Sequence, residues 1–357
     1  MKKTFIILMS LAIPFALHAK EELFIYNWSD YIAEDTIANF EAETGIDVTY
    51  DVFDSNEVLE AKLLAGNSGY DIVVPSGSFL ENQIRAGVFQ KLDKSKISNL
   101  SNLDPKVLEK TDAHDPGGLY SVNYMYGTTG IGYNVAAVEE RGGDVESWDL
   151  IFNPDEISKY ADCGVAMLDA PSEIMEIALN YLGHDPNTEN TKANEEALEM
   201  LKNIRPYIKY FDSSQYIDDL ANGEICLAVG WSGDVFLAAD EAADDVEAWY
   251  SIPSEGTVIW FDMMGIPADA RNVDNAHKFI NYILRPEVVA EITNYVWYSN
   301  PNLVANSTEG LIDADILEDP AIYPTDETLK VLFADIADTP QKARISSRVF
   351  NNFKAAN

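Results

Sequence analysis

The chain has 357 residues, and 60 Asp or Glu against 24 Lys or Arg give it a formal charge of −36 at pH 7. A surface this acidic repels nucleic acid and anionic lipid and concentrates cations near any cleft, so a nucleic-acid partner is excluded from the reading. The length exceeds what one hydrophobic core usually sustains, and two domains are expected.

Met1 to Ala19 has the form of an export signal: Lys2 and Lys3 precede an apolar run from Phe5 to Phe15, and Leu17-His18-Ala19 offers a small residue for cleavage near Ala19. No later segment reaches the ~20 apolar residues that a membrane helix needs, so the expected mature form is a soluble exported protein. Leu23 to Tyr26 reads as a short strand, and Asp35 to Glu43 as a helix with Ile37 and Phe40 on one face and Gly45 at its C-terminal cap. Ile46, Val48, Tyr50 and Val52 alternate as a half-buried strand. Ser55 or Asn56 caps a second helix through Val58, Leu59 and Leu63. Asp71-Ile72-Val73-Val74 is a buried strand ended by Pro75, and Ser76 to Ser78 lead into a third helix. This alternation predicts an α/β fold with a parallel sheet covered on both faces. Ligands of such sheets sit beyond the carboxyl ends of the strands, where Trp28 to Tyr31 and Ser76 to Ser78 fall.

Gly117-Gly118 and then Gly127, Gly130 and Gly132 mark a change of character. Without a Lys-Ser/Thr ending they are not a phosphate loop, and they read as a crossing between domains. From Trp148 the chain is mostly helical, at Pro154 to Tyr160, Pro171 to Leu182 and Asn194 to Ile204, with extended pieces at Gly164 to Leu168 and Glu224 to Val229. Tyr250 to Pro253 and Thr257 to Pro267 are apolar extended pieces around Glu255-Gly256, the expected return crossing. Helices follow at Val273 to Leu284, Pro286 to Tyr298, Asp326 to Phe333 and Ile345 to Lys354. Two crossings divide the chain into discontinuous lobes, residues 20–128 with 257–300 and residues 129–256 with 301–357.

One stretch stands out chemically. Val229-Gly230-Trp231-Ser232-Gly233-Asp234 follows an apolar strand and reads as a loop presenting a ring face and a carboxylate together. A cation suits that pair, because an indole face attracts an ammonium group by about 0.5–2 kcal/mol and a carboxylate accepts charge-assisted hydrogen bonds. The pairing recurs in Trp28-Ser29-Asp30-Tyr31 and in Trp260-Phe261-Asp262, and three occurrences point to a binding site rather than to packing. Glu173, at the start of a helix, either complements the positive helix terminus or points into a cleft. Cys163 and Cys226 are the only cysteines; in an oxidising compartment they form one disulfide, contributing about 4 kcal/mol for a loop of about 64 residues, or stay as two buried thiols. Gly230 to Asp234 misses the Gly-x-Ser-x-Gly elbow by its last residue, and His114, His184 and His277 have no partner motif. No catalytic, metal or cofactor site is expected, and paired carboxylates leave a secreted glycoside hydrolase as the enzyme alternative.

A resemblance extends these readings. Ile25-Tyr26-Asn27-Trp28-Ser29-Asp30-Tyr31, Tyr50-Asp51-Val52-Phe53-Asp54-Ser55-Asn56-Glu57, Tyr70-Asp71-Ile72-Val73-Val74-Pro75-Ser76, Thr128-Thr129-Gly130-Ile131-Gly132-Tyr133-Asn134 and Leu220-Ala221-Asn222-Gly223-Glu224-Ile225-Cys226 resemble segments of the periplasmic putrescine- and spermidine-binding proteins of bacterial polyamine ABC transporters. The resemblance implies a two-lobed periplasmic binding protein fold with hinge strands between discontinuous domains, a monomer that closes on a small polyamine and presents it to a membrane permease. It implies Asp234 and Asp262 as ammonium anchors, with Glu173 and Asp30 as further acceptors. Trp28, Tyr31, Trp231, Trp260 and Tyr298 would enclose the methylene chain, and Ser29 and Ser76 would add hydrogen bonds. It also implies the Cys163–Cys226 disulfide. Trp260 departs from the putrescine-type pattern, where Phe is usual, and is typical of spermidine-preferring relatives. Binding of both amines, with spermidine at least comparable, is the expectation; a carrier of another cationic solute is the alternative on the same fold.

Overall fold

The opening alternation is built as β1 (Glu22–Trp28), β2 (Asp47–Phe53) and β3 (Ile72–Val73), which run parallel with β1 in the centre. The computed structural model describes residues 21–356, and the expected export segment lies outside them. The intervening helices are Thr36–Thr44, closed by Gly45 in the left-handed region at φ 73°, and Asn56–Leu64, capped by the Ser55 hydroxyl accepting from the Val58 amide at 3.3 Å.

The glycine-rich crossing is one long strand, β4 (Ser121–Asn134). Three further strands, β5 (Val165–Met167), β6 (Ile208–Phe211) and β7 (Leu227–Trp231), form a second parallel set, and β8 (Ala248–Ser251), β9 (Thr257–Gly265) and β10 (Leu332–Ala334) complete the sheet. The spatial order is β2-β1-β3-β9-β4-β7-β5-β6, with β8 on β4 and β10 on β9. The first half of β4 pairs antiparallel with β9, and from Thr129 to Tyr133 it pairs with β7. A single strand therefore belongs to both sets and ties them together. Gly127 is required in it: a Cβ there would lie 2.8 Å from Cη2 of Trp260.

Helix Pro171–Tyr181 follows β5, and helix Ser232–Asp240 follows β7 without a loop, so Asp234 lies in a first helical turn rather than in the loop expected from its sequence. The tail also differs from expectation. Asp326 to Phe333 is not an α-helix but a single 3-10 turn at Thr328–Lys330 followed by β10, which lies parallel to the start of β9. Asn302 donates to the Leu284 carbonyl at 2.9 Å, and residues up to Tyr323 stay beside the helix Pro286–Val296. Helix Pro340–Lys354 then packs on helices Pro171–Tyr181 and Thr191–Ile204 and sets Phe353 against Phe211 at 5.1 Å between centroids. Cys163 and Cys226 are bonded, with Cα atoms 5.7 Å apart. Among the described residues no helix is long and apolar enough to cross a membrane.

Candidate ligand-binding cleft

The carboxyl ends of β1, β2, β3, β5, β6 and β7 turn toward one another around a cleft of about 810 Å³, solvent at its mouth included. β9 contributes its floor. This convergence follows from parallel strands, whose connecting turns all leave from the same edge. Trp28, Ser29, Tyr31, Ser76, Glu173, Trp231, Asp234, Trp260, Asp262 and Tyr298 all line it. Asp30 does not: it is exposed, its backbone sits in the left-handed region at φ 49°, and its charge reaches the cleft only as a repulsion that helps raise the pKa of Asp234.

Neutral donors orient all three principal acids. The Tyr216 and Tyr298 hydroxyls donate to Asp234 at 2.7 and 2.6 Å. Asp262 accepts from Ser76 at 2.7 Å and from Tyr31 at 2.8 Å. Glu173 accepts from the Thr129 hydroxyl and from the Trp231 indole N–H at 3.1 Å. Such donors fix a carboxylate without cancelling its charge. Burial pushes Asp234 and Asp262 up to about 7 and Glu173 up to about 8, against the opposing pull of those hydrogen bonds. At Asp234 the position in a first helical turn, at the positive end of the helix, favours the ionised form and so also opposes the rise.

The aromatic residues that line the cleft spend their polar tips on the protein. Trp28 donates to the Val74 carbonyl at 2.8 Å, and its ring meets Phe53 at 4.6 Å and Trp231 edge-on at 5.4 Å. Trp260 donates to the Thr129 hydroxyl at 3.3 Å and lies 5.5 Å from the Tyr298 ring, which in turn meets Tyr31 at 5.0 Å. Gly233 is needed beneath Tyr298, because a Cβ there would come within 2.6 Å of the ring Cγ.

Three further carboxyls line the cleft without having been read as site residues from sequence: Asp54, which accepts from the Ser29 hydroxyl at 2.5 Å, Glu57 and Asp335. Glu57 follows the end of β2, and burial raises it to about 7; Asp335 follows β10, accepts from the Ser78 hydroxyl and is raised by burial to about 6. Glu57 was within reach of the rule that placed Trp28 and Ser76 beyond strand ends. Asp335 was not, because a three-residue strand carries no readable period.

Fold and site together define a two-lobed α/β receptor with a cleft rich in ionisable acids and aromatic faces. The chain belongs to the bacterial extracellular solute-binding proteins, whose family model matches residues 35–324. It is 50 % identical over 357 aligned positions to the putrescine-binding periplasmic protein PotF of Escherichia coli (strain K12), covering 98 % of this chain and 95 % of the relative. It is 36 % identical to the spermidine/putrescine-binding periplasmic protein of the same organism, over 88 % of this chain and 87 % of that one. Among solved structures, a putative spermidine/putrescine ABC transporter from Listeria monocytogenes superposes with a TM-score of 0.85 at 33 % identity, over 94 % of this chain and 100 % of that one.

Proposed function

We propose that this protein binds putrescine and spermidine in the periplasm and delivers them to the permease of an ABC transporter, without chemical turnover. The observation that carries the reading is the set of acids held only by neutral donors. Asp234, Asp262 and Glu173 line one cleft, each bonded only by neutral donors, and Trp28, Trp231 and Trp260 line it with them. An organic dication with an apolar middle matches this arrangement. Each charge-assisted hydrogen bond contributes about 1.5–3 kcal/mol and each desolvated ring contact about 2 kcal/mol, which supports micromolar binding after association costs. The relatives' names, all of binding proteins, point the same way and away from a glycoside hydrolase.

Ser29, Ser76, Tyr31 and Tyr298 act by orienting the acids and closing the walls. Asp30 is left out of the ligand set and supplies negative field at the rim. The lobes follow the crossings at β4 and at residues 252–256, with one change: residues 301–323 go with the first lobe, because Asn302 of that stretch donates to the Leu284 carbonyl and Asn294 donates to its Leu311 carbonyl. Cleavage near Ala19 yields the mature monomer. A thermal-shift panel tests the function. Putrescine, cadaverine, spermidine and spermine should raise the melting temperature, and oligosaccharides should not. A shift with arginine or a quaternary amine and none with polyamines would move the assignment to another cationic solute.

A further inference from the structure

Lys342 is a buried cation in a very acidic protein, and the cleft does not contact it. Its side chain is 6 % exposed, and its ammonium group bonds Glu176, itself 2 % exposed, and the Asn187 side-chain oxygen at 2.7 Å. It also pairs with Asp338 at 2.7 Å, by charge rather than through an aligned hydrogen bond. Burying such a cluster carries a desolvation penalty that the ion pairs alone rarely exceed, so it is weak evidence for stability and calls for another role.

Its neighbours supply one. Glu176 lies one turn beyond Glu173 on helix Pro171–Tyr181, and Asp338 lies three residues beyond Asp335 in an extended stretch. The Ser172 hydroxyl donates to Asp338 at 3.2 Å from the same helix. From the opposite lobe, Asn82 on helix Gly77–Arg85 donates to the Asp338 carbonyl at 2.9 Å, and Ser78 of that helix donates to Asp335. The tail segment is therefore gripped from both lobes where it passes the cleft. We propose that Lys342 is a positioning residue for the binding site: its ammonium group ties the helix that carries Glu173 to the tail that carries Asp335, and so fixes the spacing of two cleft carboxyls drawn from distant parts of the chain.

This rests on the polyamine reading above. In a clamped cleft, a ligand long enough to reach Glu173 and Asp335 depends on Lys342, whereas the anchors Asp234 and Asp262 on the other chain segments do not. Lys342→Met alone strands the carboxyls of Glu176 and Asp338 and endangers folding, so the test pairs it with Glu176→Gln and adds the milder Asn187→Ala, which removes one partner of the Lys342 ammonium group. Wild type and both variants are titrated with spermidine and putrescine after circular dichroism confirms their fold. The expected result is a loss of fivefold or more in spermidine affinity for each variant, with putrescine affinity changed by less than half as much. Equal losses for both amines, or no loss for either, would overturn the clamp; if the double variant does not fold, Asn187→Ala decides alone. Wild type failing to bind either amine would instead sink the functional reading.

Discussion

Binding should be coupled to proton release. In the ligand-free cleft Asp234 and Asp262 sit near 7 instead of their ordinary 3.8, and Glu173 near 8 instead of 4.5, with burial as the main cause in each. Alkyl ammonium groups ordinarily titrate at about 10.4, so the ligand stays charged at pH values where the acids are partly protonated. A cation draws each carboxyl back to its ionised form, and the protons leave as it enters. Affinity must therefore rise with pH. A group with its midpoint at about 7 is roughly nine-tenths protonated at pH 6 and nine-tenths ionised at pH 8, which gives about tenfold in affinity per acid and up to about a hundredfold for the two aspartates together. Titration calorimetry at pH 6.5 in buffers of different ionisation enthalpy counts the protons directly: about 1.5 should be released from the two aspartates per putrescine, and about one more if Glu173 ionises with them. An affinity that is flat from pH 6 to 8, together with heats independent of the buffer, would refute the claim that these acids are held protonated by burial.

The same shifts set the stability of the free protein. Raised carboxyl midpoints mean that the folded state binds more protons than the unfolded chain between about pH 4 and pH 7, so melting temperature without ligand should fall as pH rises through that range, and ligand should reverse the trend. Asp234→Asn and Asp262→Asn should each weaken polyamine binding about tenfold or more while leaving circular dichroism unchanged, because each removes a charge-assisted bond in a desolvated site; a variant that binds like wild type would remove that residue from the anchor set. Trp260→Phe should move the affinity ratio toward putrescine by about 1 kcal/mol, read from paired titrations. Reducing the Cys163–Cys226 bond, which spans 63 positions, should lower stability by about 4 kcal/mol and leave affinity for putrescine nearly unchanged, since neither cysteine lines the cleft. Reduction that abolishes binding in a still-folded protein would contradict that separation.

Much of the cleft was legible because aromatic and acidic residues sit next to each other in sequence where the strands end. Trp231 and Asp234 were readable as a pair even though the element between them was not: Gly233 argues for a loop until the Tyr298 ring that occupies its Cβ position is known. Trp260 and Asp262 share one face of β9 by the period of two, and that face is the floor of the cleft. Asp30 stands apart from the cleft lining: adjacency to Trp28 in sequence says nothing of the left-handed turn at φ 49° that leaves it exposed. Asp335 and the Lys342 cluster were beyond reach, because they act through a tail that returns to the cleft across more than two hundred positions from Ser78, and no local pattern encodes that return.

In the proposed polyamine site, three acids are oriented by neutral donors. Titration of the purified mature chain at pH 8 with putrescine, cadaverine, spermidine and spermine tests that site most directly. The predicted result is one site per chain with micromolar or tighter affinity for putrescine and spermidine, lost on replacing Asp234 or Asp262 by Asn. Absence of heat with all four amines, in a protein whose circular dichroism shows it folded, would contradict it.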